Sequence, residues 1–193
     1  LHLCSHNLES IDTTSTTHDL LAEVCMAAYY EGESIKTHYT IHKETYSDSA
    51  AELCTVLARS FADIGDIVRG KDLYRGDKKK NQTERDELEN KLKKIFENIY
   101  DKLDGKKGKK SAEAEERYKK DGDNYFQLRE DWWTLNREKV WKAITCDADT
   151  GNAYFHATCI DGKNQSEAKD NCRCPNGNNQ VPTYFDYVPQ YLR

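Results

Sequence analysis

Ser49-Ala-Ala-Glu-Leu-Cys-Thr-Val-Leu-Ala-Arg-Ser-Phe-Ala-Asp-Ile-Gly-Asp-Ile-Val-Arg-Gly70 carries the pattern that decides the fold class. Ser49 with Glu52 three residues later is a capping box, in which each side chain satisfies a backbone N–H that a helix start leaves unpaired. Behind it, Leu53, Cys54, Leu57, Ala58, Phe61 and Ile64 recur at three- and four-residue spacing. That period lays an apolar stripe along one face of a helix. The helix is expected to run to about Val68 and to stop near Gly70.

The same period appears on both sides. Upstream, Leu20, Leu21, Val24, Cys25 and Ala28 predict a helix over 18–31, behind the polar run Thr13–Thr17. Downstream, Thr83-Glu-Arg-Asp86 opens a helix whose stripe is Leu88, Leu92, Ile95, Phe96, Ile99 and Leu103, ending at Asp104-Gly105. Asp104–Lys110 reads as a loop, because two glycines and repelling lysines defeat a helix. A short helix follows Ser111. From about Asn124 to Thr145 a long helix carries Tyr125, Phe126, Leu128, Trp132, Trp133, Val140, Trp141 and Ile144. Residues 146–182, with four cysteines and many asparagines, read as a disulfide-tied loop, and a helix restarts at Tyr184. No stretch alternates with period two, so the class is all-α.

Composition narrows the setting. The chain has 193 residues, of which 37% are hydrophobic, 12 tyrosines included, and 33% are charged; the mean hydropathy is −0.95. The core is thin, and no window approaches the roughly 18 apolar residues of a membrane-spanning helix. Leu1-His2-Leu3-Cys4 lacks the basic start and apolar stretch of a signal peptide, so if the protein is exported its targeting signal lies outside this segment. Cys4, Cys25, Cys54, Cys146, Cys159, Cys172 and Cys174 are the disulfide candidates. Many cysteines with a thin core point to an extracellular module braced by disulfides; buried free thiols are the alternative. Seven is odd, so one is free or pairs outside the segment, and the pairing itself stays open.

Charge is unevenly spread. Residues 1–70 hold 4 Lys/Arg against 11 Asp/Glu, residues 71–120 hold 17 against 12, and residues 121–193 hold 8 against 11. The middle is a basic island whose local field a polyanion can sense despite the net charge of −5. Its lysines form clusters: Lys78, Lys79 and Lys80; Lys106, Lys107, Lys109 and Lys110; Lys119 and Lys120. They are the candidate glycan contacts, since flexible ammonium groups in loops can converge on sulfate; a plain solvated face is the competing reading.

Catalytic and metal motifs fail. Gly105-Lys-Lys-Gly108-Lys-Lys-Ser111 has two residues between its glycines where a phosphate loop needs four, and no strand precedes it. Asp147-Ala-Asp149 opens like a calcium loop, but its twelfth position is Thr158. His2/His6 and His38/His42 have helical spacing without a metalloprotease glutamate, and His38/His42 lies in a Thr/Tyr-rich stretch of poor helical character. Cys172-Arg-Cys174 is read as disulfide partners, and no cysteine has a histidine placed as its base. Trp132, Trp133 and Trp141 have apolar neighbours one turn away and are assigned to the core, in preference to a stacking platform. Asn81-Gln-Thr83 and Asn164-Gln-Ser166 fit the N-glycosylation pattern of surface loops. No cofactor, metal or enzymatic activity is expected, since nothing supplies nucleophile, base and oxyanion donor together.

Longer blocks carry a family resemblance. Ala58-Arg-Ser-Phe-Ala-Asp-Ile-Gly-Asp-Ile-Val-Arg-Gly-Lys-Asp-Leu-Tyr-Arg-Gly76 closely resembles the signature block of the Duffy-binding-like alpha domain of the variant erythrocyte membrane protein 1 family of Plasmodium falciparum. Leu128-Arg-Glu-Asp-Trp-Trp-Thr-Leu-Asn136, Val140-Trp-Lys-Ala-Ile-Thr-Cys146, Cys172-Arg-Cys174 and Val181-Pro-Thr-Tyr-Phe-Asp-Tyr-Val-Pro-Gln-Tyr-Leu-Arg193 are similar to later blocks. Leu20-Leu-Ala-Glu-Val-Cys25 and Tyr30-Glu-Gly-Glu-Ser34 look like upstream ones.

The resemblance implies a helical Duffy-binding-like fragment with long helices, extended loops and disulfides. Residues 1–45 would be the end of the amino-terminal subdomain and a connecting segment, and 46–193 the central subdomain with a cysteine-rich loop at 146–182. The chain departs from the family pattern at both ends, starting after the first cysteines and stopping where members continue with Trp-Phe-Glu-Glu-Trp. The implied role is adhesion on the infected erythrocyte surface, in rosetting and cytoadherence. Implied partners are host erythrocyte or endothelial receptors, heparan-sulfate-like glycans, blood-group sugars and antibodies, not nucleic acid. Membrane anchoring would come from other parts of the parent protein. The alternative is a structural spacer that displays variable loops without a ligand of its own.

Overall fold

The computed structural model describes residues 16–45, 50–73, 81–105, 109–110, 112–148, 157–168, 170–175 and 180–193; of residues 40–45, 50–52, 81–83, 104–105, 109–110, 112 and 161 it describes the backbone alone. Helices α1 (Thr17–Thr45), α2 (Ala50–Arg69), α3 (Asn81–Asp101), α4 (Ala112–Tyr118) and α5 (Phe126–Ile144) make the body. Short 3-10 turns follow at Gly122–Asn124, Phe185–Tyr187 and Gln190–Leu192. None of the described helices is long and apolar enough to cross a membrane.

The stripe that opens the sequence reading is the centre of the core. Leu53, Cys54, Leu57, Ala58, Phe61 and Ile64 are all buried, against Leu20, Val24 and Ala28 of α1, Leu92, Ile95 and Phe96 of α3, and Trp133, Val140 and Trp141 of α5. All three tryptophans are core residues. Phe61 packs between two of them, with ring centroids 5.1 Å from Trp133 and 5.2 Å from Trp141. Two glycines allow this closeness. A Cβ on Gly32 of α1 would lie 2.0 Å from the carbonyl oxygen of Ile144, and one on Gly65 of α2 would lie 2.7 Å from the Trp133 ring.

Several expectations need correcting. The first helix runs fourteen residues past 31, because Ile35 and Tyr39 continue the stripe onto the core. His38 and His42 therefore lie within α1, where Thr37 and His38 are exposed while Tyr39 packs against the core. The aromatic helix begins at Phe126, after a 3-10 turn, because Tyr125 takes a left-handed conformation with φ 53°. The segment after Tyr184 forms two 3-10 turns rather than a helix.

Strands are few but present. β1 (Asp104–Gly105) pairs antiparallel with β2 (Lys109–Lys110), so the ends of the expected loop form a hairpin. β3 (Cys159–Asp161) pairs with β4 (Asn164–Ser166) in a second hairpin, with Asn164 exposed. These pairings are too short to leave a period-two signature. The molecule stays predominantly helical.

One disulfide ties the cysteine-rich loop outward and a second ties it to itself. Cys54 of α2 bonds Cys172 across 118 residues of sequence, and Cys159 of β3 bonds Cys174 across 15. Cys25 and Cys146, both disulfide candidates by sequence, are free thiols: Cys25 is half-buried on α1 and Cys146 exposed after α5. Burial pushes the Cys25 thiol up. Cys4 lies outside the described residues.

Candidate functional site

The lysine clusters are the sequence-derived candidate. Lys78, Lys79, Lys80, Lys106 and Lys107 lie outside the described residues. Lys109 and Lys110 form β2, with Lys110 opposite Asp104 and Lys109 opposite Gly105. Lys119 and Lys120 follow α4 and are exposed. These two pairs share one end of the molecule. Tyr118, last residue of α4, meets Tyr100 of α3 edge-on with centroids 6.3 Å apart. That contact returns α4 to the end of α3, from which the hairpin springs three residues later. Exposed Lys102 joins them there. The same end carries Asp101, Glu113, Glu115, Glu116 and Asp123, all exposed, so its charge is mixed rather than uniformly basic. Among the described residues, no three His, Cys, Asp or Glu side chains cluster as metal ligands.

Sequence reasoning missed the buried ionic frame that holds this surface in place. Arg129 of α5 is wholly buried. Its Nε donates to the Val68 carbonyl at 2.6 Å and Nη2 to that of Ile67 at 3.1 Å, both in the last turn of α2. Its two Nη atoms also donate to the Glu89 carboxylate of α3 at 2.8 and 2.9 Å. One side chain thus joins α2, α3 and α5. Gly70 makes room for it: with φ +72°, it ends α2 in a Schellman turn, its N–H bonded to Ile67 O and that of Lys71 to Asp66 O.

A second junction forms around Asp186, also buried. Its carboxylate accepts from Trp133 Nε1 at 2.9 Å and from Arg137 Nε and Nη2 at 2.7 and 2.8 Å. Its backbone oxygen accepts from Arg69, which also donates to Asp66 at 2.9 Å and lies over the Trp133 ring. Asp66 in turn receives Arg193. Burial pushes the carboxyls of Asp66 and Asp63 up, against the opposing pull of Arg193. The signal was present in the sequence as arginines among tryptophans on one helix, a charge that an apolar face admits only with a buried partner.

The Cys172-Arg-Cys174 block is a third junction. Cys172 bonds α2, and its carbonyl accepts from Trp141 Nε1 at 3.2 Å. Arg173 Nη2 donates to Lys142 O at the end of α5 at 2.8 Å, and Cys174 bonds β3. Three consecutive residues fasten three elements, which makes this block a brace.

Arg69, Arg129, Asp186, Cys172, Arg173 and Cys174 lie within the sequence blocks that carry the family resemblance, whereas Glu89, Arg137, Cys54 and Cys159 lie between them. A search of curated protein sequences returns no match. Among solved structures, the chain is similar to the NTS-DBL1-alpha and CIDR-gamma double domain of PfEMP1 from the Plasmodium falciparum varO strain, with 38% identity and a TM-score of 0.77 over 99% of this chain and 25% of that one. It is similar to the NTS-DBL1(alpha-1) domain from the same strain, with 40% identity and a TM-score of 0.75 over 99% of this chain and 40% of that one. A PfEMP1 DBLbeta domain solved bound to ICAM-1 matches at 29% identity and a TM-score of 0.66, over 99% and 40% respectively. The chain thus spans about a quarter to two fifths of the chains it matches. The profile of the Duffy binding domain covers residues 1–193, and the chain belongs to the Duffy binding domain family.

Proposed function

We propose that the chain is part of an extracellular adhesion domain of a variant parasite antigen, displayed on the infected erythrocyte and engaging host cell-surface receptors in rosetting and cytoadherence. The observation that carries this reading is similarity over 99% of this chain to parts of PfEMP1 Duffy-binding-like domains, one of them solved with ICAM-1 bound. A helical frame braced by disulfides and buried ion pairs suits such a role, because loops on a braced scaffold can change partner without changing the fold.

Within it, the lysines at the hairpin end provide an electrostatic contact for sulfated glycans of the heparan-sulfate type. The support is exposure and location: Lys119, Lys120 and Lys102 are exposed, and the Tyr100–Tyr118 contact sets the end of α4 against the end of α3 that leads into the β1–β2 hairpin. Each lysine–sulfate contact releases a condensed counterion, so affinity falls linearly with salt on a log–log plot. Replacing Lys109, Lys110, Lys119 and Lys120 together with serine is expected to release the chain from a heparin column at clearly lower salt, with helicity unchanged by circular dichroism. Duplex DNA of matched charge, run in parallel, separates sulfated-sugar recognition from general polyanion attraction. Unchanged heparin elution of the quadruple variant would assign these lysines to a solvated face and favour a spacer role for this end.

A further inference from the structure

A cleft at the α3–α4 end is left unused by the adhesion reading. Tyr100, Tyr118 and Tyr125 line an open cleft of about 620 Å³ together with Glu115, Glu116 and Lys119. The rings stand at angles to one another, Tyr118 edge-on to Tyr100 and Tyr125 tilted against it at 5.8 Å between centroids. None of the three is buried, so ring surface reaches solvent.

The arrangement is held from outside the cleft. Tyr118 donates its hydroxyl to Asp131 of α5 at 2.9 Å, and Asp131 is itself gripped by Arg117 and Gln127. The ring therefore cannot swing away. Tyr125 sits in the left-handed region, φ 53° and ψ 35°, where a bulky side chain is strained. Asp121 keeps it there by accepting the N–H groups of Gln127 at 2.6 Å and Leu128 at 2.9 Å, which starts α5 just beyond the strained residue. A turn alone would take glycine; tyrosine at this position sets a third ring against Tyr100.

Charge decides what fits. Glu115 and Glu116 line the cleft, and Glu97, Asp101 and Asp123 lie close enough to act on Tyr125 through space; burial, followed by these carboxylates, pushes its hydroxyl up. Lys119 is the one cation among the described lining residues. A sulfate would meet these carboxylates, whereas a cation meets both the carboxylates and the electron-rich ring faces. A guanidinium fits better than a quaternary ammonium, because it is flat enough to stack and also donates hydrogen bonds to carboxylates. The chain uses this pairing internally: Arg117 lies over Tyr118 at 5.9 Å while donating to Asp131, and Arg137 lies over Tyr187 at 5.2 Å while donating to Asp186.

We propose that the Tyr100–Tyr118–Tyr125 cleft is a binding site for an arginine side chain presented by a partner protein, its guanidinium stacked among the rings and hydrogen-bonded to Glu115 or Glu116. Lysine-mediated glycan contact and arginine capture would then occupy the same end of the molecule through different groups.

The test uses the intact, disulfide-formed chain labelled with 13C at tyrosine rings and titrated with N-acetyl-arginine amide. Saturable shifts of the Tyr100, Tyr118 and Tyr125 resonances are expected. N-acetyl-citrulline amide, of the same shape but uncharged, is expected to bind about tenfold or more weakly. Glu115→Gln with Glu116→Gln, on exposed positions, is expected to weaken the arginine probe by a similar factor. Tyr125→Gly, which suits the left-handed backbone and removes one ring, is expected to abolish the saturable response. Equal binding of citrulline, or no ring shift with arginine, overturns the proposal. Choline bound better than arginine overturns it in favour of a lipid headgroup, and ring shifts from a heparin tetrasaccharide but not from arginine overturn it in favour of a glycan subsite.

Discussion

Gly32 and Gly65 are where a single missing methyl group sets the spacing of the core. At Gly32 the nearest obstacle to a Cβ is backbone, the Ile144 carbonyl oxygen at 2.0 Å, which can move only if α1 and α5 separate. At Gly65 it is the Trp133 ring at 2.7 Å, pinned by the indole hydrogen bond to Asp186. Overpacking a filled core costs about 1–3 kcal/mol and occasionally more. Gly65→Ala is expected within that range and Gly32→Ala at or above its top, read from urea-denaturation midpoints. A Gly32→Ala variant as stable as the parent would show that the two helices are not in this contact in solution.

α4 is only seven residues long and too short to hold helical structure alone, so its docking on α5 carries it. The link is Asp131, which accepts from Arg117 Nε and Nη2 at 2.6 and 2.8 Å and from the Tyr118 hydroxyl. The bond with Arg117, helped by those with Tyr118 and Gln127, holds the Asp131 carboxyl below its ordinary value of 3.8. The folded state therefore favours the ionised form more than the unfolded chain does. This contribution is complete above the unfolded value and disappears as pH falls through the folded one. Asp131→Asn is expected to lower stability at neutral pH, by an amount that shrinks toward zero as pH drops below about 4. Urea midpoints of parent and variant across that range measure it; a constant difference would contradict the ion-pair account.

Across the whole molecule, two disulfides and the buried arginines do what a thin core cannot. Closing a loop of about 100 residues stabilises by about 4.7 kcal/mol in the chain-entropy account, and one of about 15 residues by about 3 kcal/mol. The Cys54–Cys172 bond spans 118 residues and joins α2 to the brace that also fastens α5 and β3. Replacing Cys54 and Cys172 together with alanine is expected to cost more stability than replacing Cys159 and Cys174, by roughly 1–2 kcal/mol. Thermal unfolding of the two double variants measures the order; the reverse ranking would place the main constraint in the local hairpin. Arg193, which reaches Asp66, and Asp186, which gathers Trp133, Arg137 and Arg69, clamp the last residues onto α2 and α5 in the same way.

Periodicity alone was enough for the helical class, for the faces of α2 and α3, and for the burial of the tryptophans, whereas Phe126, counted with the aromatic helix, is exposed. Each depends on neighbours within one or two turns, and such information is local in the sequence. The resemblance blocks supplied the family in the same way, as contiguous residues. Other features required the folded chain. Cys54 could have paired with any cysteine, and only the approach of α2 to the loop selects Cys172. Arg129 and Arg137 sit among tryptophans in the sequence, but their partners are named only when the packing of α2, α3 and α5 and the last residues places each against its carboxylate, 40 or more residues away. The lysine clusters were legible as charge, but the carboxylates and three tyrosines sharing their end were not, because α3, α4 and the start of α5 meet there only in three dimensions. Spacing within a segment is written in the sequence; which segments become neighbours is settled when the core closes.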